Sequence, residues 1–189
     1  FGGQTALNCG VRLWEQGILR TTGTRVLGTP LWGIKATEDR AKFVRLMAKA
    51  RVPTLPSRAV YSYPEALAAA RELGFPVMVR VAYTLGGKGG GMARTEAELA
   101  EVVGRGLRAS PVGQLLLERY VGTFKQLEYE VVRDAKGNVL TVCNMENVLS
   151  MRVHTGDNVV IAPSQTLSDR EYQMLRQAAI RAVTACHIV

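Results

Sequence analysis

Arg80, Lys88 and a run of five glycines are the residues of this chain most suited to chemistry. From Phe75 to Gly91 the sequence reads FPVMVRVAYTLGGKGGG. Phe75 to Tyr83 is apolar except for Arg80, a pattern expected of a strand covered on both faces. An arginine inside such a run needs an anionic partner, because an unpaired buried charge is very costly. Gly86, Gly87, Gly89, Gly90 and Gly91 let the backbone take positive φ and come close to a ligand. Free backbone N–H groups between Arg80 and Lys88 suit a polyphosphate. A flexible hairpin turn is the plainer reading of the glycines alone.

The loop is not of the commoner phosphate-binding kinds. A Walker loop requires Ser or Thr after the lysine, and here Lys88 precedes Gly89. A Rossmann fingerprint requires the glycines to open a helix, whereas Met92-Ala93-Arg94 reads as a short return strand. The loop is therefore expected to be a flap between antiparallel strands, closing over phosphates as in kinases and ATP-grasp enzymes.

The totals narrow the setting. The chain has 189 residues, enough for one domain or two small ones, with 47% hydrophobic and 21% charged residues. No apolar run approaches the ~20 residues of a membrane span, and no secretory signal is visible. Cys9, Cys143 and Cys186 are odd in number and lack metal-ligand spacing, which favours a reducing, cytoplasmic setting. The net charge is +8, but its basic residues are scattered, so a phosphorylated ligand is a better match than nucleic acid. The chain opens on Phe1 without a methionine and ends on an apolar His187-Ile188-Val189; a piece of a longer protein is expected.

Elements follow in an α/β order that mixes helices with antiparallel strands. A helix with apolar residues Leu7, Val11, Trp14 and Ile18 is followed by a short strand at Thr24–Gly28. Thr37 is the expected N-cap of a helix that buries Phe43, Leu46, Met47 and Ala50. Spacing alone makes Arg40 a solvated surface residue of that helix. A strand at Ser57–Tyr61 leads to a helix with a capping box at Ser62 and Glu65; Thr95 with Glu98 and Ser168 with Glu171 repeat that signature. Gln114–Val121 is a strand whose polar end opens toward a crevice. Lys125–Arg133 and Val139–Glu146 form a hairpin about the turn Asp134–Asn138. His154 lies in a polar connection, a strand follows at 158–162, and a last helix runs to about Cys186. His187 reads as structural.

Several of these stretches together resemble the large chain of carbamoyl-phosphate synthetase, in its amino-terminal ATP-grasp half. They include Gly2–Asn8, Thr37–Arg40, Phe75–Arg80, Leu85–Gly91, Tyr129–Asp134, Cys143–Asn147, His154–Asp157 and Ala162–Leu167. The resemblance implies an incomplete ATP-grasp domain over 37–189, preceded over 1–36 by the tail of a Rossmann-like pre-ATP-grasp domain and a linker. It implies an ATP-dependent carbon–nitrogen ligase that activates bicarbonate to carboxyphosphate. Ammonia then gives carbamate, and a second ATP gives carbamoyl phosphate for arginine and pyrimidine synthesis.

By position, the resemblance assigns Arg40, Arg80 and His154 to catalysis. It assigns Gly86 and Gly87 to closure over the phosphates, Arg119 and Val121 to the adenine and Gln126 to the ribose. Arg152, Val153 and His154 would line the site. The cofactors implied are ATP with Mg2+ or Mn2+, whose ligands are expected beyond Val189, so the isolated chain is expected not to turn over. Implied partners are bicarbonate, ammonia, the remainder of the large chain and a glutamine amidotransferase chain or domain, with no nucleic acid and no membrane. There are departures from the family pattern: Gln126 replaces Glu, Arg152 and His187 replace Gly, Thr123-Phe124 replaces Gly-Trp, and Val81 replaces a small residue or Pro. A biotin-carboxylase-like ATP-grasp ligase, or a non-catalytic nucleotide-binding homologue, is the alternative.

Overall fold

A computed structural model describes residues 3–122, 124–148 and 158–189. The elements run α1 (Gly3–Glu15), α2 (Ile18–Thr21), α3 (Leu31–Glu38), α4 (Arg40–Lys49), β1 (Ser57–Val60), α5 (Tyr63–Leu73), β2 (Val77–Val81), β3 (Gly91–Ala93), α6 (Glu96–Ala109) and β4 (Leu115–Arg119). They continue with β5 (Leu127–Arg133), β6 (Val139–Asn147), β7 (Val160–Ile161) and α7 (Asp169–Ala185).

The first sheet has the order β1-β4-β2-β3, with every neighbouring pair antiparallel. Its core forms because β2 alternates: Val77, Val79 and Val81 are buried, while Met78 and Arg80 point the other way. Leu115 and Leu117 of β4 join them, and α5 and α6 cover that face with Ala66, Ala70, Leu99 and Val103. Burying each Val or Leu contributes roughly 1.5–3 kcal/mol. The expectation of a strand covered on both faces is therefore corrected. Only one face of β2 is packed, and the apolar run misled because Met78 lies on the open face.

Helix starts follow local chemistry. Ser62, Thr95 and Ser168 each accept a backbone N–H from the third residue of their helices. Only Ser168 with Glu171 closes the reciprocal box. Glu65 and Glu98 instead accept from the amides of Tyr61 and Arg94, one residue before the cap. Thr37 is not a cap. It lies within α3 and donates to the carbonyl of Ile34, and Asp39 caps α4 by accepting from Lys42 N at 3.0 Å. Thr24–Gly28 forms no strand; no described strand lies beside it to complete a ladder. Of the α1 face only Val11 is buried, and Leu7, Trp14 and Ile18 are exposed.

The second sheet has the order β5-β6-β7, antiparallel throughout, with a bulge between Glu130 and Val131. Helix α7 lies against it: Tyr129 Oη donates to the carbonyl of Tyr172 at 2.9 Å, and Arg176 Nε donates to Thr141 Oγ1 at 2.9 Å. The end of α7 reaches back to α3. Thr29 Oγ1 donates to the carbonyl of Val189 and accepts from its amide, both at 3.0 Å. The His187 ring meets Trp32 edge-on at 4.8 Å, which bears out its structural reading. His187 takes φ 50, the left-handed region that favours glycine.

Candidate nucleotide site

Arg80 leaves the open face of β2 and donates through Nε to Glu118 Oε2 at 2.5 Å, with about half of its side chain exposed. Glu118 is opposite Met78 in the register, so the ion pair runs diagonally across the two strands. Arg80 therefore has its anionic partner at a cleft wall rather than in the core. A small, open cleft lies beside this ion pair. Leu55, Met78 and Val121 give it an apolar lining; Arg80, Glu118 and Arg119 are its charged rim. The chain leaving β4 is held by Arg119 N to Pro56 O at 3.0 Å and Tyr120 N to Pro76 O at 3.4 Å. The Val121 amide has no partner among the described residues.

Arg40 is the first residue of α4. Its Nη2 donates to the carbonyl of Val81 at 3.4 Å, and its Nε is buried with no partner among the described residues. Burial draws its pKa below the ordinary arginine value, and the charge of Arg80 draws it further, against the pull of Glu38 and Glu118. The two guanidinium charges thus oppose one another. This corrects the reading of Arg40 as a solvated surface arginine.

The glycine flap joins β2 to β3 and divides into two parts. Gly86 and Gly87 have φ 66 and 70, and a Cβ at either would meet nothing within 4 Å. Gly89 and Gly90 are packed: a Cβ on Gly89 would come 2.6 Å from Ala109 Cβ, and one on Gly90 would come 2.5 Å from the carbonyl oxygen of Val79. The packed pair seats the flap on β2 and α6 and leaves the first pair open. At its base Gln4 Nε2 donates to Glu38 and to Asn8 Oδ1, and Asn8 Nδ2 reaches the carbonyl of Tyr83 at 3.5 Å.

Tyr83 is buried with φ 59. Burial pushes its phenol up to about 12, and the carboxylates of Asp39, Glu15 and Glu38 push in the same direction. A folded-state value above the unfolded one, roughly 10, contributes stability that is complete below pH ~10 and lost as pH rises through ~12. Urea unfolding between pH 9 and pH 12 is expected to show this loss, and Tyr83→Phe to flatten it; an equal slope in both proteins would refute the assignment.

The structure brings Arg80, Arg119 and Val121 to one cleft, whereas Arg40 lies toward the opposite end of the strands, at the carbonyl of Val81, with Gly86 and Gly87 on the flap that leaves β2 there. Gln126 precedes β5; its carbonyl accepts from Asn147 N at 3.0 Å and its Nε2 approaches Glu128 Oε1 at 3.4 Å. Arg152, Val153 and His154 lie outside the described residues. Sequence reasoning missed Glu118 and Gln114. A charged residue in register with an outward position of β2 was the available signal for Glu118.

A nucleotide fits the residues present: an apolar slot, an unpaired amide just beyond β4, and the Arg40 guanidinium, which has no carboxylate partner among the described residues, while Arg80 is paired with Glu118. No group of three or more His, Cys, Asp or Glu side chains is placed to hold a metal among the described residues. No helix among them is long and apolar enough to cross a membrane.

Comparison with known proteins identifies the family and the fold. A large chain of carbamoyl phosphate synthase from Thermomicrobium roseum is 52% identical over 189 residues, all of this chain and 18% of that protein. One from Clostridium botulinum (strain Loch Maree / Type A3) is 50% identical over 188 residues, again all of this chain and 18% of its relative. The chain thus spans about a fifth of the length of these relatives. Among solved structures, the biotin carboxylase domain of Hydrogenobacter thermophilus 2-oxoglutarate carboxylase, in complex with MgADP, ADP and bicarbonate, has a TM-score of 0.75 at 26% identity. That match covers 90% of this chain and 39% of the other. Campylobacter jejuni biotin carboxylase has a TM-score of 0.76 at 23% identity over the same shares, a likeness of fold. These neighbours identify the fold as ATP-grasp. The family described as carbamoyl-phosphate synthase L chain, ATP binding domain, matches residues 39–189, and this chain belongs to it.

Proposed function

We propose that the cleft binds ATP and that the protein carrying this chain uses it to phosphorylate bicarbonate. The carboxyphosphate so formed would react with ammonia to give carbamate, on the way to carbamoyl phosphate for arginine and pyrimidine synthesis. The observation that carries this reading is Arg40, whose guanidinium is drawn out of water beside Arg80 with a buried Nε left unpaired. Glu118 serves Arg80, but Arg40 has no carboxylate partner among the described residues, and a phosphate tail supplies the missing anion. Arg40 and Arg80 hold the phosphates while the open amides around Gly86 and Gly87 close on them. The backbone at Arg119 and Val121 borders the adenine, and Gln126 takes the ribose. Arg152, Val153 and His154 complete the site near the reacting groups. Magnesium or manganese would neutralise charge on the transferring group; no residue described here is assigned to it.

Residues 37–189 are read as the ATP-grasp domain and 1–36 as the end of a preceding domain with its linker. The remainder of the large chain and a glutamine amidotransferase are its partners, in the cytoplasm. Bicarbonate-dependent ADP release by the intact protein tests the reading. The expected result is ADP formed on adding bicarbonate, without ammonia. Release indifferent to bicarbonate would overturn it, and dependence on added biotin would favour a carboxylase.

A further inference from the structure

We infer that Gln114, at the foot of β4, is a positioning residue that sets Arg40 against the nucleotide phosphates. The inference rests on the reading of Arg40 given above. Gln114 is 3% exposed, and each of its polar groups is used. Its Oε1 accepts from Arg40 N at 2.9 Å; its Nε2 donates to Asp39 Oδ1 at 3.2 Å and to Tyr61 Oη at 2.8 Å. Its main-chain N–H donates to Ser110 Oγ at 3.1 Å, and its carbonyl accepts from Ala82 N at 3.2 Å. One residue therefore grips the first turn of α4 and the exit of β2, just before the flap. The amide is suited to this as a carboxylate would not be, since it must present a donor to Asp39 and an acceptor to Arg40 at once.

These bonds explain why Arg40 can stay where its charge is poorly served. The guanidinium makes only the 3.4 Å contact with Val81 O among the described residues. Its placement must come from the backbone, and the bond from Arg40 N to Gln114 is the anchor that belongs to Arg40 itself. Without it, Asp39 and α4 can shift, and small misplacements of a phosphate ligand are costly.

A double-mutant cycle on the intact protein separates positioning from a general structural role. ATP dissociation constants are measured for the parent, Gln114→Met, Arg40→Met and the double variant. Gln114→Met is expected to weaken ATP about tenfold in the parent and less than about twofold in the Arg40→Met background. Equal losses in both backgrounds would overturn the inference and leave the function reading standing. Unchanged affinity in Arg40→Met alone would overturn both. Should Gln114→Met fail to fold, Tyr61→Phe removes one outer bond of the same side chain. It is expected to weaken ATP about threefold in the parent and not in Arg40→Met; no change in the parent would overturn the inference.

Discussion

Arg40→Met in the intact protein is expected to lower bicarbonate-dependent ATP turnover by about 10²–10³-fold, the range for losing one preorganised charge partner in a transition state. The melting temperature should stay level or rise. Methionine replaces the aliphatic stem, and it removes a cation whose Nε is buried without a partner and which stands against Arg80. The two readouts therefore move apart, which distinguishes a ligand-binding arginine from a structural one. A turnover within about threefold of the parent would take Arg40 out of the chemistry. A large fall in melting temperature with equally reduced turnover would make it a packing residue instead.

The second expectation concerns the flap. Gly90→Ala would bring a Cβ within 2.5 Å of the carbonyl oxygen of Val79, so the β2–β3 pairing must open. About 1–3 kcal/mol of stability should be lost, with activity following the fold. Gly87→Ala meets nothing within 4 Å but must hold φ 70, a strain of about 1 kcal/mol. Its methyl group sits where the loop is open, so it should raise the KM for ATP more than it lowers stability. Thermal melts and ATP titrations of the two variants test this pairing. If Gly90→Ala proved the milder in stability, the division of the loop into a packed and an open half would be wrong.

The fold was largely legible because its signals were local. Ser62, Thr95 and Ser168 announce their helices through side-chain bonds three residues long, and Asp134–Asn138 announces its hairpin. The failures share a cause. Thr24–Gly28 has strand composition, but pairing is a property of neighbours and not of the segment. Thr37 and Asp39 are both good caps, and the choice between them depended on α3 continuing to Glu38, which propensity does not decide. The run around Arg80 looked doubly covered because methionine is apolar wherever it lies.

The site was legible only in part. The glycines and Arg80 were visible in the sequence, yet Arg40 read as a surface residue because helical spacing cannot say what stands opposite. Gln114 was read only as the start of a strand: a lone glutamine beside an apolar run carries no pattern, and its value comes from Asp39, Arg40 and Tyr61 arriving from distant positions.

The buried cluster that holds the first sheet comes entirely from residues 60–117. By contrast, the clasp of Thr29 onto Val189 joins positions 160 apart. During synthesis the first sheet with α5 and α6 can therefore consolidate while the ribosome is still adding the hairpin and α7. The closing of α3 against the final residues must wait. Native-state hydrogen exchange would follow the same order, with the amides of β2 and β4 outlasting those of α3.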